Sequence, residues 1–148
     1  MKRLKDGIII TDLNIDDLHQ IYKLGLDEPV FEVSLNPWTP EKISSIVASD
    51  SFTAFTARRK KKVLGFIIGE SKENKAEILW LMVVPHLRKK GIGSALIDSF
   101  IRKYSSDGIN KIFIRLLENN LDTINFLCKK GLLENKTFKE LSYEIPEN

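Results

Sequence analysis

Apolar and polar positions divide this chain into short segments whose period switches between two and about 3.6 residues. Ile8 to Leu13 is rich in β-branched residues and predicts a first strand. Asn14 is placed to cap a helix that carries Ile15, Leu18, Ile21, Tyr22 and Leu26 at helical spacing. Pro29 and Pro37 bracket a break. Thr39-Pro40 then reads as the N-cap and first residue of a second helix, with Ile43, Ile46 and Val47 on one side. Phe52 to Ala57 and Val63 to Gly69 predict two strands joined by the charged turn Arg58 to Lys62. After a turn at Ser71 to Lys75 comes a long central strand, Ala76 to Val84, and then an amphipathic helix, Ile92 to Tyr104. Asp107-Gly108 ends that helix, and Lys111 to Leu117 predicts another strand. Asn119 or Asn120 caps a further helix that stops at Gly131, and the tail holds strand-like pieces around Phe138 and Leu141 to Ile145.

The resulting order, β-α-α-β-β-β-α-β-α-β-β, is a mixed α/β arrangement with hairpins in the middle and crossovers after the long strand. No repeat, linker or low-complexity stretch divides it, so residues 1–148 read as a single domain.

Composition narrows the function classes. A net charge of +3 is too small to argue for nucleic acid, and the basic run Arg58 to Lys62 lacks interleaved aromatics, so it reads as a solvated turn. Cys128 is the only cysteine, and His19 and His86 are the only histidines, which argues against a disulfide or a Cys/His metal centre. Cys128 shares a helical stripe with Leu121 and Ile124 and reads as core. The longest apolar run, Ile78 to Val84, falls far short of the roughly 20 residues a membrane span needs. The basic start, Met1 to Asp6, is followed only by Ile8-Ile9-Ile10, too short for a signal peptide, so a cytoplasmic protein is expected, as a monomer or homodimer.

The chemistry concentrates between the long strand and the helix after it. Arg88-Lys89-Lys90-Gly91-Ile92-Gly93 is a cationic, glycine-rich turn that opens a helix. A helix start offers unpaired N–H groups and the positive end of the dipole, and glycines let a phosphate approach the backbone. The turn is neither of the common nucleotide fingerprints. The position three beyond Gly93 is Leu96, and no Gly-Lys-Ser/Thr follows.

The wider frame, Leu81 through Leu96, resembles the acetyl-CoA motif of the Gcn5-related N-acetyltransferase (GNAT) superfamily: a strand, a proline near its end, then Arg/Gln-x-x-Gly-x-Gly/Ala opening a helix. Asn120, Thr123, Phe126, Gly131 and Leu132 sit at the spacing of that family's second motif. The resemblance implies a central mixed twisted sheet flanked by helices, with strands 76–84 and 111–117 splayed to hold CoA. It implies backbone contacts to the pantetheine from Leu81, Met82 and Val83, with the N–H of Val83 as the oxyanion donor. It places the pyrophosphate on Arg88, Lys89, Lys90, Gly91, Ile92, Gly93 and Ser94, and sets Asn120 and Phe126 on the other side of the cofactor. The reaction implied is transfer of an acetyl group to a primary amine by direct attack. The stretch Asn36-Pro37-Trp38-Thr39-Pro40-Glu41-Lys42 also resembles protein N-terminal acetyltransferases of the ribosomal-protein alanine type, although Trp38 reads rather as a loop aromatic packed on the core.

The acid and base positions depart from the family pattern. Where relatives carry a tyrosine that protonates the thiolate, this chain has Leu127, and where the alanine type carries a glutamate base it has Arg115. Glu77 resembles the base of the histone acetyltransferase branch. Simple strand alternation puts it on the face of Leu79, Leu81 and Val83, where apolar neighbours favour a raised pKa. Arg115 then pairs with Glu77, with an acidic substrate, or with solvent. Tyr143 is a lower-ranked candidate for the acceptor cleft, and the acidic residues Asp27, Glu28 and Glu32 suit a cationic amine. Three readings follow: an acetyltransferase for protein N-termini, one for a small amine such as a polyamine or aminoglycoside, and a non-catalytic acyl-CoA-binding module.

Overall fold

The computed structural model describes residues 1–27, 38–88, 90–116 and 121–134, with 141, 143, 144 and 146 in the tail. Among the described residues, six strands form one sheet in the order β1 (Lys2–Arg3), β2 (Ile9–Asp12), β3 (Phe52–Arg59), β4 (Lys62–Lys72), β5 (Lys75–Val83) and β6 (Lys111–Ile114). Neighbours are antiparallel except β5 and β6, which run parallel. The helices are α1 (Leu18–Asp27), α2 (Pro40–Val47), α3 (Ile92–Ser106) and α4 (Leu121–Lys129). The α3 crossover is what a parallel β5–β6 pair requires.

The helix signals hold where capping chemistry is local. The Thr39 hydroxyl accepts the N–H of Lys42 at 3.1 Å with Pro40 following, and α2 buries Ile43 and Ile46. Both α3 and α4 end in the same paired bonds, Ile109 N–H to the Tyr104 carbonyl and Leu132 N–H to the Leu127 carbonyl, closed over Gly108 and Gly131. Asn14 caps as expected, accepting the N–H of Asp16, but the turn it caps is a 3₁₀ turn that leaves Ile15 exposed, and α1 itself starts at Leu18.

Hairpin register lengthens the central strands beyond their apolar runs. The 58–62 turn contracts to Lys60-Lys61, because Arg59 pairs with Lys62 and Lys60 takes φ 56. Arg58 is therefore a strand residue. It is largely buried and ion-paired with Asp17, which ties the entry of α1 to β3. A strand at Lys2–Arg3 was not expected. Its residues lack an apolar signature because it is a two-residue edge paired only with β2.

The two faces of the sheet carry different helices. On one, Phe100 of α3 lies over Gly69 and the Tyr104 hydroxyl donates to the Ser51 carbonyl at 3.1 Å. On the other, Trp38 stacks on Phe66 at 5.4 Å, meets Trp80 edge-on at 4.9 Å, and donates its indole N–H to the Tyr22 carbonyl. Trp38 is thus the loop aromatic packed on the core. Phe66, Trp80, Phe100, Ile21, Ile67 and Leu96 are among the fully buried side chains, each contributing roughly 1.5–3 kcal/mol by burial.

Two expectations about faces are overturned. The β4–β5 register slips between Ile68↔Trp80 and Gly69↔Ile78, so Leu79 is an extra residue. Beyond this bulge the alternation changes phase. Glu77 lies opposite Glu70, on the face of Trp80 and Met82, not with Leu81 and Val83. On α4 the buried residue is Leu127, while Cys128 and Leu121 are exposed. The stripe chosen from the sequence is rotated from the one that packs, because Leu127 and the partly buried Phe126 make the contacts.

Candidate functional site

The β5–β6 ladder runs from Lys75↔Lys111 to Ile78↔Ile114 and, among the described residues, no further. Beyond it β5 continues beside β4 to Val83. The Val84 N–H donates to the Leu64 carbonyl on the β4 side at 2.9 Å. Backbone groups alternate along a strand, so the N–H and C=O of Val83 and Leu81 point away from β4, into the opening, and those of Met82 point toward β4. Arg88 confirms the direction at one point: its Nε donates to the Val83 carbonyl at 3.1 Å.

The chain leaves β5 through a 3₁₀ turn, Pro85–Leu87, and enters α3 at Gly91, whose φ of 85 and ψ of 1 are left-handed. Gly91 caps α3 without a side-chain bond, and its carbonyl receives the first helical hydrogen bond, from the Ala95 N–H. The N–H groups of Ile92, Gly93 and Ser94 therefore sit in the first turn, where no helical carbonyl is available to them. Arg88, Lys90 and Gly91 are exposed here. Ile92 is not, and its side chain is core.

Gly93 joins the two sequence motifs. A Cβ there would come within 3.3 Å of Phe126 Cζ and 3.7 Å of Val83 Cγ2. Phe126 on α4, Gly93 on α3 and Val83 on β5 thus meet at the open edge of β5. The Lys130 ammonium binds Asp98 at 2.7 Å and links the end of α4 to α3. Lys89, Asn119, Asn120, Glu28, Glu32 and Phe138 lie outside the described residues, as does the side chain of Asp27.

At the other end of β5 the Glu77 carboxylate takes two hydrogen bonds from Arg115, Nε to Oε2 at 2.7 Å and an Nη to Oε1 at 3.1 Å. Of the three fates open to Arg115, pairing with Glu77 is the one observed. The Glu77 hydrogen bond, and then its charge, raise the Arg115 pKa above its ordinary value. Glu77 also lines an open groove of about 350 Å³ with Glu70, Lys72, Glu73, Lys75 and Phe113. Sequence reasoning missed the Leu79 bulge that turns Glu77 this way. The run Ile78 to Val84 is apolar throughout, so it carries no alternation that could register a change of phase.

Leu127, at the position where a tyrosine acid was sought, is 3% exposed and belongs to the core. Tyr143 is 82% exposed. A larger groove, of about 500 Å³, lies elsewhere, against Met1, Ile10, Phe55 and Arg102, and includes none of the residues above.

The chain matches the model of the acetyltransferase (GNAT) family over residues 15–132. A comparison with curated proteins found no match. Among solved structures, it resembles an aminoglycoside acetyltransferase from an uncultured soil metagenomic sample in complex with sisomicin, at 21% identity and TM-score 0.74, over 97% of this chain and 100% of that one. It also resembles the PaiA N-acetyltransferase of Thermoplasma acidophilum in complex with coenzyme A (20% identity, TM-score 0.74, 88% and 92% covered). A third is the ribosomal-protein-S18-alanine N-acetyltransferase of Escherichia coli (19% identity, TM-score 0.71, 84% and 76% covered). At these identities the likeness is one of fold.

Proposed function

The chain belongs to the acetyltransferase (GNAT) family, and from that premise we propose that it moves an acetyl group from acetyl-CoA to a primary amine within a ternary complex. The observation that carries the reading is the meeting of Val83, Gly93 and Phe126 at the end of β5 that extends past the β6 ladder, directly before the first turn of α3, which no side chain caps. These residues fit the co-substrate. Leu81 and Val83 offer backbone groups to an extended amide chain, as a neighbouring strand would. The first-turn N–H groups of α3, with Arg88 and Lys90, suit a pyrophosphate. Acetyl-CoA supplies a thioester whose carbonyl an amine can attack.

The protein's part is to hold and orient. The Val83 N–H is our choice for the donor that stabilises the oxyanion, because its parity directs it into the opening. Met82 is not carried over as a cofactor contact, because its backbone points toward β4 and its side chain is buried in the core. Glu77 is our candidate base, since an ammonium must lose a proton before it attacks. The absence of an acid at Leu127 does not block the reaction, because a thiolate is a fair leaving group without prior protonation.

A protein N-terminus is the first acceptor to test. The support is the fold shared with ribosomal-protein alanine acetyltransferases. Trp38 adds nothing to this choice, since core packing accounts for it. A small cationic amine is the second, favoured by the carboxylates of the Glu70–Glu77 groove. The test is thiol release from acetyl-CoA against N-terminal peptides, lysine peptides, polyamines and aminoglycosides. Amine-dependent release by any of these supports the enzyme and names the acceptor class. CoA binding without release under the whole panel supports the acyl-CoA-binding module instead.

A further inference from the structure

Little apolar burial holds α4 in place. Among the described residues, Leu127 is its one buried side chain. A helix this short takes its stability from what it packs against. Two contacts join it to α3. Phe126 closes on Gly93, its Cζ 3.3 Å from where a Cβ would stand. The Lys130 ammonium donates to Asp98 Oδ1 at 2.7 Å. The Lys130 N–H donates to the Phe126 carbonyl at 3.2 Å, so these two residues lie one turn apart, about 6 Å along the axis. Gly93 and Asp98 are five residues apart on α3, about 7.5 Å along its axis. The two contacts therefore advance in the same sense along both helices. Phe126 and Leu127 fix where α4 touches the rest of the fold, and the ion pair one turn later fixes its angle. The pair is partly sheltered from water, with the Lys130 side chain 21% exposed and that of Asp98 39%. Screening by solvent is weaker there than at a fully exposed pair.

We propose that Lys130 and Asp98 are positioning residues for the co-substrate: their ion pair sets the angle of α4 and so holds Phe126 beside Val83 as a wall of the CoA site. The inference rests on the reading that acetyl-CoA binds where Val83, Gly93 and Phe126 meet. A structural role alone predicts a lowered Tm on breaking the pair and an unchanged CoA affinity in the folded protein.

Calorimetric titration with CoA, at a temperature where every variant is folded, tests it. The variants are Lys130→Met, Asp98→Asn, the two combined, and Lys130→Met in a Phe126→Ala background. Each single change should weaken the CoA Kd about two- to fivefold, the range of a partly exposed ion pair. The combined variant should lose no more than either single one, because the two act as a unit. Exchanging the charges, Lys130→Asp with Asp98→Lys, should recover part of the affinity. In the Phe126→Ala background Lys130→Met should add nothing, since it acts through Phe126. If Phe126→Ala weakens CoA binding but Lys130→Met lowers Tm and leaves Kd in place, the inference fails and the co-substrate site stands. A loss at Lys130→Met that persists in full without Phe126 means the ammonium meets CoA itself, and overturns the positioning role. If Phe126→Ala leaves the CoA Kd unchanged, the inference and the placement of CoA both fail.

Discussion

The two ends of β5 do different work with different materials. At its C-terminal end the proposed site is made of backbone: the outward-facing groups of Leu81 and Val83, the left-handed turn at Gly91 and the first turn of α3. Side chains matter there mainly by being absent, as at Gly93, which leaves Phe126 room to close on Val83. At its N-terminal end the proposed base is a side chain, Glu77, held by Arg115 opposite Glu70. Between the two ends lies the Leu79 bulge, which changes the face of the strand. A backbone site depends on conformation and tolerates varied sequence. A side-chain site depends on which residue faces where, and one extra residue resets it.

The sharpest division between the ends should come from Glu77→Gln. Loss of a general base costs about 10²–10⁴-fold in turnover, with CoA affinity expected to stay within about twofold. Steady-state kinetics beside calorimetric CoA titration measure both. Gly93→Val should do the reverse. Overpacking against Phe126 costs about 1–3 kcal/mol, seen as a lowered Tm and a CoA Kd weakened by about tenfold or more. Arg88→Ala removes one charged donor from the mouth of the opening. A hydrogen bond to a charged group contributes about 1.5–3 kcal/mol, so CoA Kd should weaken by about tenfold, less at high salt. Gly91→Ala gives the smallest effect on binding. A Cβ there meets open space, so the change is strain at positive φ, about 1–2 kcal/mol in denaturant unfolding.

This division also explains what could be read from the sequence. Signals carried by local backbone chemistry were legible: the Thr39-Pro40 cap, the glycine stops after α3 and α4, and the Gly91–Gly93 turn. From β2 onward, the order of strands and helices through Gly131 followed from period and turn residues. The strand-like pieces expected at Leu141 to Ile145 are not strands at Leu141, Tyr143 or Glu144. The face of Glu77 was not legible, because Ile78 to Val84 is uniformly apolar and hides a one-residue slip. The exposure of Cys128 was not legible either, because the α4 stripe that packs is set by tertiary partners such as Gly93 and not by the helix alone.

The central claim is that CoA lies along the C-terminal end of β5, at Leu81 and Val83, and over the first turn of α3. Backbone amide NMR shifts on titration with CoA test it most directly. The account predicts that Leu81, Val83, Ile92, Gly93 and Ser94 shift together and saturably, with Glu70, Glu77 and Phe113 little changed until an acceptor amine is added. Shifts confined to the groove at Met1, Ile10, Phe55 and Arg102, with the β5 edge unmoved, would contradict it.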